Sequence, residues 1–134
     1  MKIHAQGAVC LDGSPGGYYI RQPLRKSGAD DPTGWVVFHQ GGGWCTSDEG
    51  CFERSHTGLG SSKFWGPTNT DLYEGSALFN IKPFDSFTVI FAKYCDGSSW
   101  TGNADAPVHI NATAPPIYYR GRRLLDALID DLLA

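Results

Sequence analysis

Several patterns are missing from this chain, and each absence removes a class of function. No apolar stretch approaches the roughly 20 residues that a helix needs to cross a bilayer, so no membrane span is expected. No basic run is longer than Arg120-Gly-Arg-Arg123. With a net charge of −3 and a pI near 5.7, nucleic acid is not an expected partner. Gly-Lys-Ser/Thr is absent, which argues against the common phosphate-binding loop. Cys-x-x-Cys is absent too, and the thiols are far apart in sequence. A zinc site built from the cysteines with His39 or His56 is therefore disfavoured, and neither metal nor cofactor is expected. No serine sits in Gly-x-Ser-x-Gly, the elbow that exposes a hydrolase nucleophile between a strand and a helix. The N-terminus, Met1 to Val9, has one lysine but no apolar core, so it does not read as a secretory signal.

What is present is one domain's worth of chain, 134 residues that are 41% hydrophobic and 19% charged, with 17 glycines. Its four cysteines are an even number in a loop-rich sequence, which points to disulfides and an oxidising compartment. Three pairings are open. Cys45 with Cys51 and Cys10 with Cys95 is a compatible one, since the latter two each lie beside an Asp-Gly turn. In the chain-entropy model it is worth about 2 kcal/mol for the short loop and about 4.6 for the long one. An oxidised chain without a leader is self-consistent if the sequence is part of a longer protein.

The chain is organised around Trp35 to Cys51. Trp35-Val-Val-Phe-His39 is an apolar, β-branched and aromatic run with turn residues before it, which predicts a buried strand. Gly41-Gly-Gly43 ends it. Glycine lets backbone N–H groups be approached closely, and a strand that ends in bare amides is how α/β-hydrolases build half of an oxyanion hole. The rival reading is a turn that merely lets the chain leave a sheet.

Elsewhere, Gly17 to Ile20 and Thr88 to Tyr94 read as strands, the second buried. Gln22 to Gly34 is a polar loop. Asp48, Glu49 and Cys51 to His56 predict a short helix, stopped by Gly58-Leu-Gly60. Ser61 to Phe87 is an irregular excursion, and Trp100 to Pro116 is a loop. Leu124, Leu125, Leu128, Ile129, Leu132 and Leu133 recur at helical spacing, predicting a helix over 117–133 with Gly121 on its apolar face. Arg120, Arg122 and Arg123 at its start and Asp126, Asp130 and Asp131 near its end oppose the macrodipole, so packing has to hold it. Strand, strand, loop, helix, strand, loop, helix without internal repeat suits an α/β sheet with crossover connections.

His39 at a strand end is expected to be structural, His4 and His109 solvated, and His56 loop-fixing. No spacing matches a histidine to a nucleophile. Asn111-Ala-Thr113 is a glycosylation acceptor in a secreted chain.

Five co-linear segments carry a more specific signal: Cys10-Leu-Asp-Gly-Ser-Pro-Gly-Gly-Tyr-Tyr, Phe38-His-Gln-Gly-Gly-Gly-Trp-Cys45 with Cys51, Arg54-Ser-His-Thr-Gly-Leu-Gly-Ser-Ser62, Tyr94-Cys-Asp-Gly-Ser-Ser-Trp-Thr-Gly102 and Tyr119-Arg-Gly-Arg-Arg-Leu-Leu-Asp-Ala127. Together they resemble the pectin acetylesterase family, which includes the Notum-type carboxylesterases. The resemblance covers Val9 to Leu133 and implies an α/β-hydrolase-like fold, truncated before the nucleophile strand. Residues 1–134 would be the N-terminal part of a catalytic domain whose Ser, Asp and His lie beyond Ala134.

By the same resemblance, Gly42 and Gly43 are the oxyanion amides, Trp44 shapes the substrate pocket, and the bridges are Cys10–Cys95 and Cys45–Cys51. The implied substrate is an acetylated polysaccharide, typically pectin, or another acylated molecule. The implied location is extracellular or the cell wall, and a full-length chain is expected to be monomeric. These 134 residues alone are expected to be inactive. The alternative is a non-catalytic fragment or pseudo-enzyme that binds acylated glycan, with Trp44, Trp65 and Trp100 available to stack on sugars.

Overall fold

The computed structural model describes residues 1–3, 5, 7–26, 28, 32–67 and 77–134. His4, expected above to be solvated, lies outside them, as do parts of the Gln22–Gly34 loop and of the Ser61–Phe87 excursion. Three strands form one mixed sheet: β1 (Tyr18–Arg21), β2 (Trp35–His39) and β3 (Thr88–Ala92). Their order is β1-β3-β2, with β1 antiparallel and β2 parallel to β3. A parallel pair needs a crossover. Among the described residues that connection carries α1 (Asp48–Ser55) and three single 3-10 turns, these turns all within the stretch read as irregular. α1 has a built start. Ser47 is its N-cap, its hydroxyl accepting from Gly50 N–H at 3.1 Å, and Asp48 and Glu49 lie in the first turn where the dipole favours them.

β3 is buried on both faces. Ile90 and Ala92 pack with Ile3, Tyr18 and the helix residues Leu124, Ala127 and Leu128; Val89 and Phe91 pack with Phe79. The second helix, α2 (Gly121–Leu133), starts four residues later than its apolar periodicity predicts. Ile117 is instead captured by Val108, exchanging both backbone bonds at 2.9 Å, and Tyr118 N–H donates to Leu11 O. Pairing across the chain therefore overrides helical spacing in that segment.

β2 corrects a larger expectation. It is the edge of the sheet, with Trp35 61%, Val37 43% and Phe38 38% exposed, not a buried strand. Its composition suits burial, but β3 is its only partner among the described residues. On the α2 side, Trp35 and Val37 face Ile129, Leu132 and Leu133 across an open apolar cleft of about 480 Å³. On the other side, Phe38 rests on Phe91, the ring centroids 5.1 Å apart. His39 shares this edge position. Its ring meets Trp100 edge-on at 5.3 Å, and partial desolvation lowers its pKa below 6.5.

Among the described residues, no three His, Cys, Asp or Glu side chains gather as a metal site, and no helix is long and apolar enough to cross a membrane.

Candidate active site

The sheet ladder ends where Gln40 N–H donates to Ala92 O at 3.0 Å, and backbone pairing resumes where Cys45 N–H donates to Gly97 O at 3.1 Å. Between them, the N–H groups of Gly41, Gly42, Gly43 and Trp44 donate to nothing among the described residues, and all four residues are exposed. Four consecutive free donors at the end of a strand are an anion-binding geometry. Two of the glycines are required here. A Cβ at Gly42 would fall 2.8 Å from Tyr94 and 2.9 Å from Leu59, and Gly43 has φ +70°.

Three carbonyl oxygens of the same loop, those of Gly42, Gly43 and Trp44, are taken. Those of Gly42 and Gly43 each accept from the Arg54 guanidinium at 2.9 Å, and that of Trp44 at 3.4 Å. The Tyr94 hydroxyl also donates to Gly43 O at 3.0 Å. Trp44 is 63% exposed, and its indole N–H donates to Ser99 Oγ at 2.5 Å.

The turn after β3 buttresses this loop. Asp96 is fully buried, and its Oδ2 accepts from Ser98 Oγ at 2.7 Å, Ser98 N–H at 3.2 Å and Trp100 N–H at 2.9 Å. Burial raises its pKa above 3.8, although these donors pull the other way. The bonds hold Ser99 and Trp100 at φ 52° and 65°, a region that costs a non-glycine residue about 1–3 kcal/mol. In that conformation Ser99 N–H donates to the Tyr94 hydroxyl at 3.1 Å and Ser99 Oγ receives Trp44. α2 closes the back of the turn: a Cβ at Gly121 would lie 2.1 Å from Asp96 Oδ2.

Two disulfides fix the frame. Cys45–Cys51 ties the loop to α1 with Cα atoms 5.1 Å apart, and Cys10–Cys95 ties the N-terminal segment to the end of β3 at 5.0 Å. Beside the loop, Gln40, Thr57, Leu59, Phe64, Trp65 and Lys93 line an open cleft of about 440 Å³. His56 lies apart from the glycines, its Nδ1 2.9 Å from Phe52 O, in a pocket with Asp12 and Ser61. His109 is exposed. Asn111 is exposed, its side-chain oxygen accepting from Thr113 and Ala114 in a local turn.

A sheet with a parallel crossover, whose strand end opens into a polarised, disulfide-anchored amide loop, defines an α/β-hydrolase-type scaffold. The fold agrees with a solved structure: the Wnt deacylase Notum from Drosophila superposes with a TM-score of 0.73 at 19% identity, over 99% of this chain and 37% of that one. A pectinacetylesterase family model matches residues 1–134, so the chain belongs to the pectinacetylesterase family. Pectin acetylesterase 7 of Arabidopsis thaliana is 40% identical over 97% of this chain and 32% of its own length. A palmitoleoyl-protein carboxylesterase, NOTUM of Schmidtea mediterranea, is 31% identical over 92% of this chain and 22% of its own. The chain therefore spans about a third of the length of the first of these relatives.

The structure thus brings Gly42, Gly43 and Trp44 together with Cys45–Cys51, and leaves His56 and Asn111 elsewhere. Reading the residues one by one assigned no role to Arg54, Tyr94 or Asp96. The available signal was positional: Arg54 lies three residues after Cys51 on a short helix, hence on the same face.

Proposed function

We propose that this chain supplies the oxyanion-binding wall of a serine carboxylesterase that removes acetyl groups from cell-wall pectin. In that reaction a serine hydroxyl, from sequence outside these 134 residues, attacks the ester carbonyl carbon as a histidine takes its proton. The former carbonyl oxygen becomes an alkoxide that the loop amides hold. Collapse expels the sugar hydroxyl, and water then releases acetate from the acyl-serine by the same route. An oxyanion donor typically contributes about 10²–10³ in rate.

The observation that carries the reading is the row of N–H groups without a partner among the described residues, with the Gly42, Gly43 and Trp44 carbonyls engaged on Arg54. Among the expected amides, Gly43 is favoured over Gly42, because a planar trans peptide sets the Gly43 N–H opposite the captured Gly42 oxygen. Likewise the captured Gly43 oxygen favours the Trp44 N–H as its companion. The two disulfides and the exposed Asn111 sequon support secretion. A full-length chain acts as a monomer in this reading.

The test is hydrolysis of p-nitrophenyl acetate. The 134-residue chain should give no turnover above background, while a chain extended by the remaining length of a relative should be active and blocked by a fluorophosphonate. Fluorophosphonate-sensitive turnover by the 134 residues alone would overturn the assignment of the nucleophile.

A second reading, a module that binds acylated glycan without cleaving it, is favoured by the cleft at Phe64 and Trp65, where the Lys93 amine lies 5.6 Å from the Trp65 ring. Quenching of tryptophan fluorescence by acetylated oligogalacturonate, with an extended chain that stays inactive, would select it.

A further inference from the structure

Close packing holds the glycine loop at Gly42, against Tyr94 and Leu59, but not at its neighbours. Nothing lies within 4 Å of a Cβ built at Gly41 or at Gly43, so side-chain packing at those two positions does not fix the loop. A peptide flanked by glycines rotates at little cost unless a bond stops it. The bonds that stop it come from α1 and from the end of β3. Cys51 and Arg54 leave one face of α1, and both reach the same loop: Cys51 through its disulfide to Cys45, Arg54 through its guanidinium to the oxygens of residues 42, 43 and 44. Tyr94 adds a second donor to the Gly43 oxygen.

We propose that Arg54 is a positioning residue for this loop, turning the peptides 42–43 and 43–44 so that the N–H groups of Gly43 and Trp44 face an incoming anion. Carbonyl and N–H are antiparallel in a trans peptide, so holding two oxygens on the guanidinium aims two hydrogens away from it. The charge does more than orient. A cation on the oxygen polarises the peptide and makes its N–H a stronger donor. A lysine in the same place offers a point charge without the planar fork that spans neighbouring carbonyls. The purpose of the arrangement rests on the oxyanion reading above, whereas its geometry does not.

The experiment uses the 134-residue chain labelled with ¹⁵N. Residual dipolar couplings and water-exchange rates are recorded for Gly43 and Trp44, with Val89 and Ile90 in β3 as internal controls. Arg54→Ala should average the two loop couplings towards zero and speed their exchange at least tenfold, with the controls unchanged. Parent values in a folded Arg54→Ala chain would overturn the proposal. If that variant does not fold, Arg54→Lys decides: couplings part-way between parent and averaged values support it, and parent values overturn it. A titration with inorganic phosphate separates this from the esterase reading. Phosphate that shifts neither amide in the parent chain counts against the oxyanion role alone, and Arg54 is then judged on the couplings.

Discussion

β2 has two ends to its story, because the same strand forms the bare edge of the sheet and leads into the glycine loop, and the two are held in opposite ways. The loop is crossed by a disulfide, three carbonyl bonds from Arg54, one from Tyr94 and a turn nailed down by Asp96. The edge has only β3 beside it among the described residues, with Ile129 46% and Leu133 81% exposed on the neighbouring helix. The difference follows from what each has to do. Covering apolar surface is non-directional, and any apolar neighbour can do it. Aiming a peptide is directional, and it requires bonds fixed in angle as well as in length. The local chain therefore builds the oriented part completely and leaves the coverable part open.

Four variants test that contrast, in falling order of effect. Replacing Cys10 and Cys95 by alanine releases a link 85 residues apart in sequence and should cost about 4.6 kcal/mol in the chain-entropy model, against about 2 for the Cys45–Cys51 pair. Urea unfolding at constant slope measures both. Equal losses would mean that the short bridge does more than pin its own corner.

Next, Gly121→Ala pushes a methyl group towards Asp96 Oδ2 and the Trp100 backbone, and should lower stability by about 1–3 kcal/mol in thermal unfolding. Parent-like stability would show that the turn behind the loop gives way easily. The smallest effect belongs to the edge. Val37→Lys should change stability by no more than about 0.5 kcal/mol, because Val37 is 43% exposed, while reducing binding of the dye ANS. A loss of several kcal/mol there would mean that the edge is covered in solution.

Among the described residues the elements of the fold were readable from apolar runs, helical spacing and turn residues: three strands and two helices stand close to where these put them, α2 starting four residues late. What escaped was set between segments. Whether Trp35–His39 is central or peripheral depends on which strand pairs with it, and no residue within the run encodes that. Ile117 carries the right spacing for α2 but is claimed by Val108, some nine residues upstream in sequence. Within the site, the glycines announced themselves by composition. Arg54 and Tyr94 did not, because an arginine on a short helix and a tyrosine after a strand are ordinary until the fold sets both on the same carbonyls.

The free amides of the loop also bear on how the protein should respond to salt. A field made by aligned peptide dipoles acts on an anion at hydrogen-bond distance, well inside the Debye length of about 8 Å at physiological ionic strength. Mobile ions could not enter that gap with an ester held there, as the proposed function requires. Under the proposed oxyanion role, raising ionic strength should therefore leave unchanged the hold of the Gly43 and Trp44 N–H groups on a developing alkoxide.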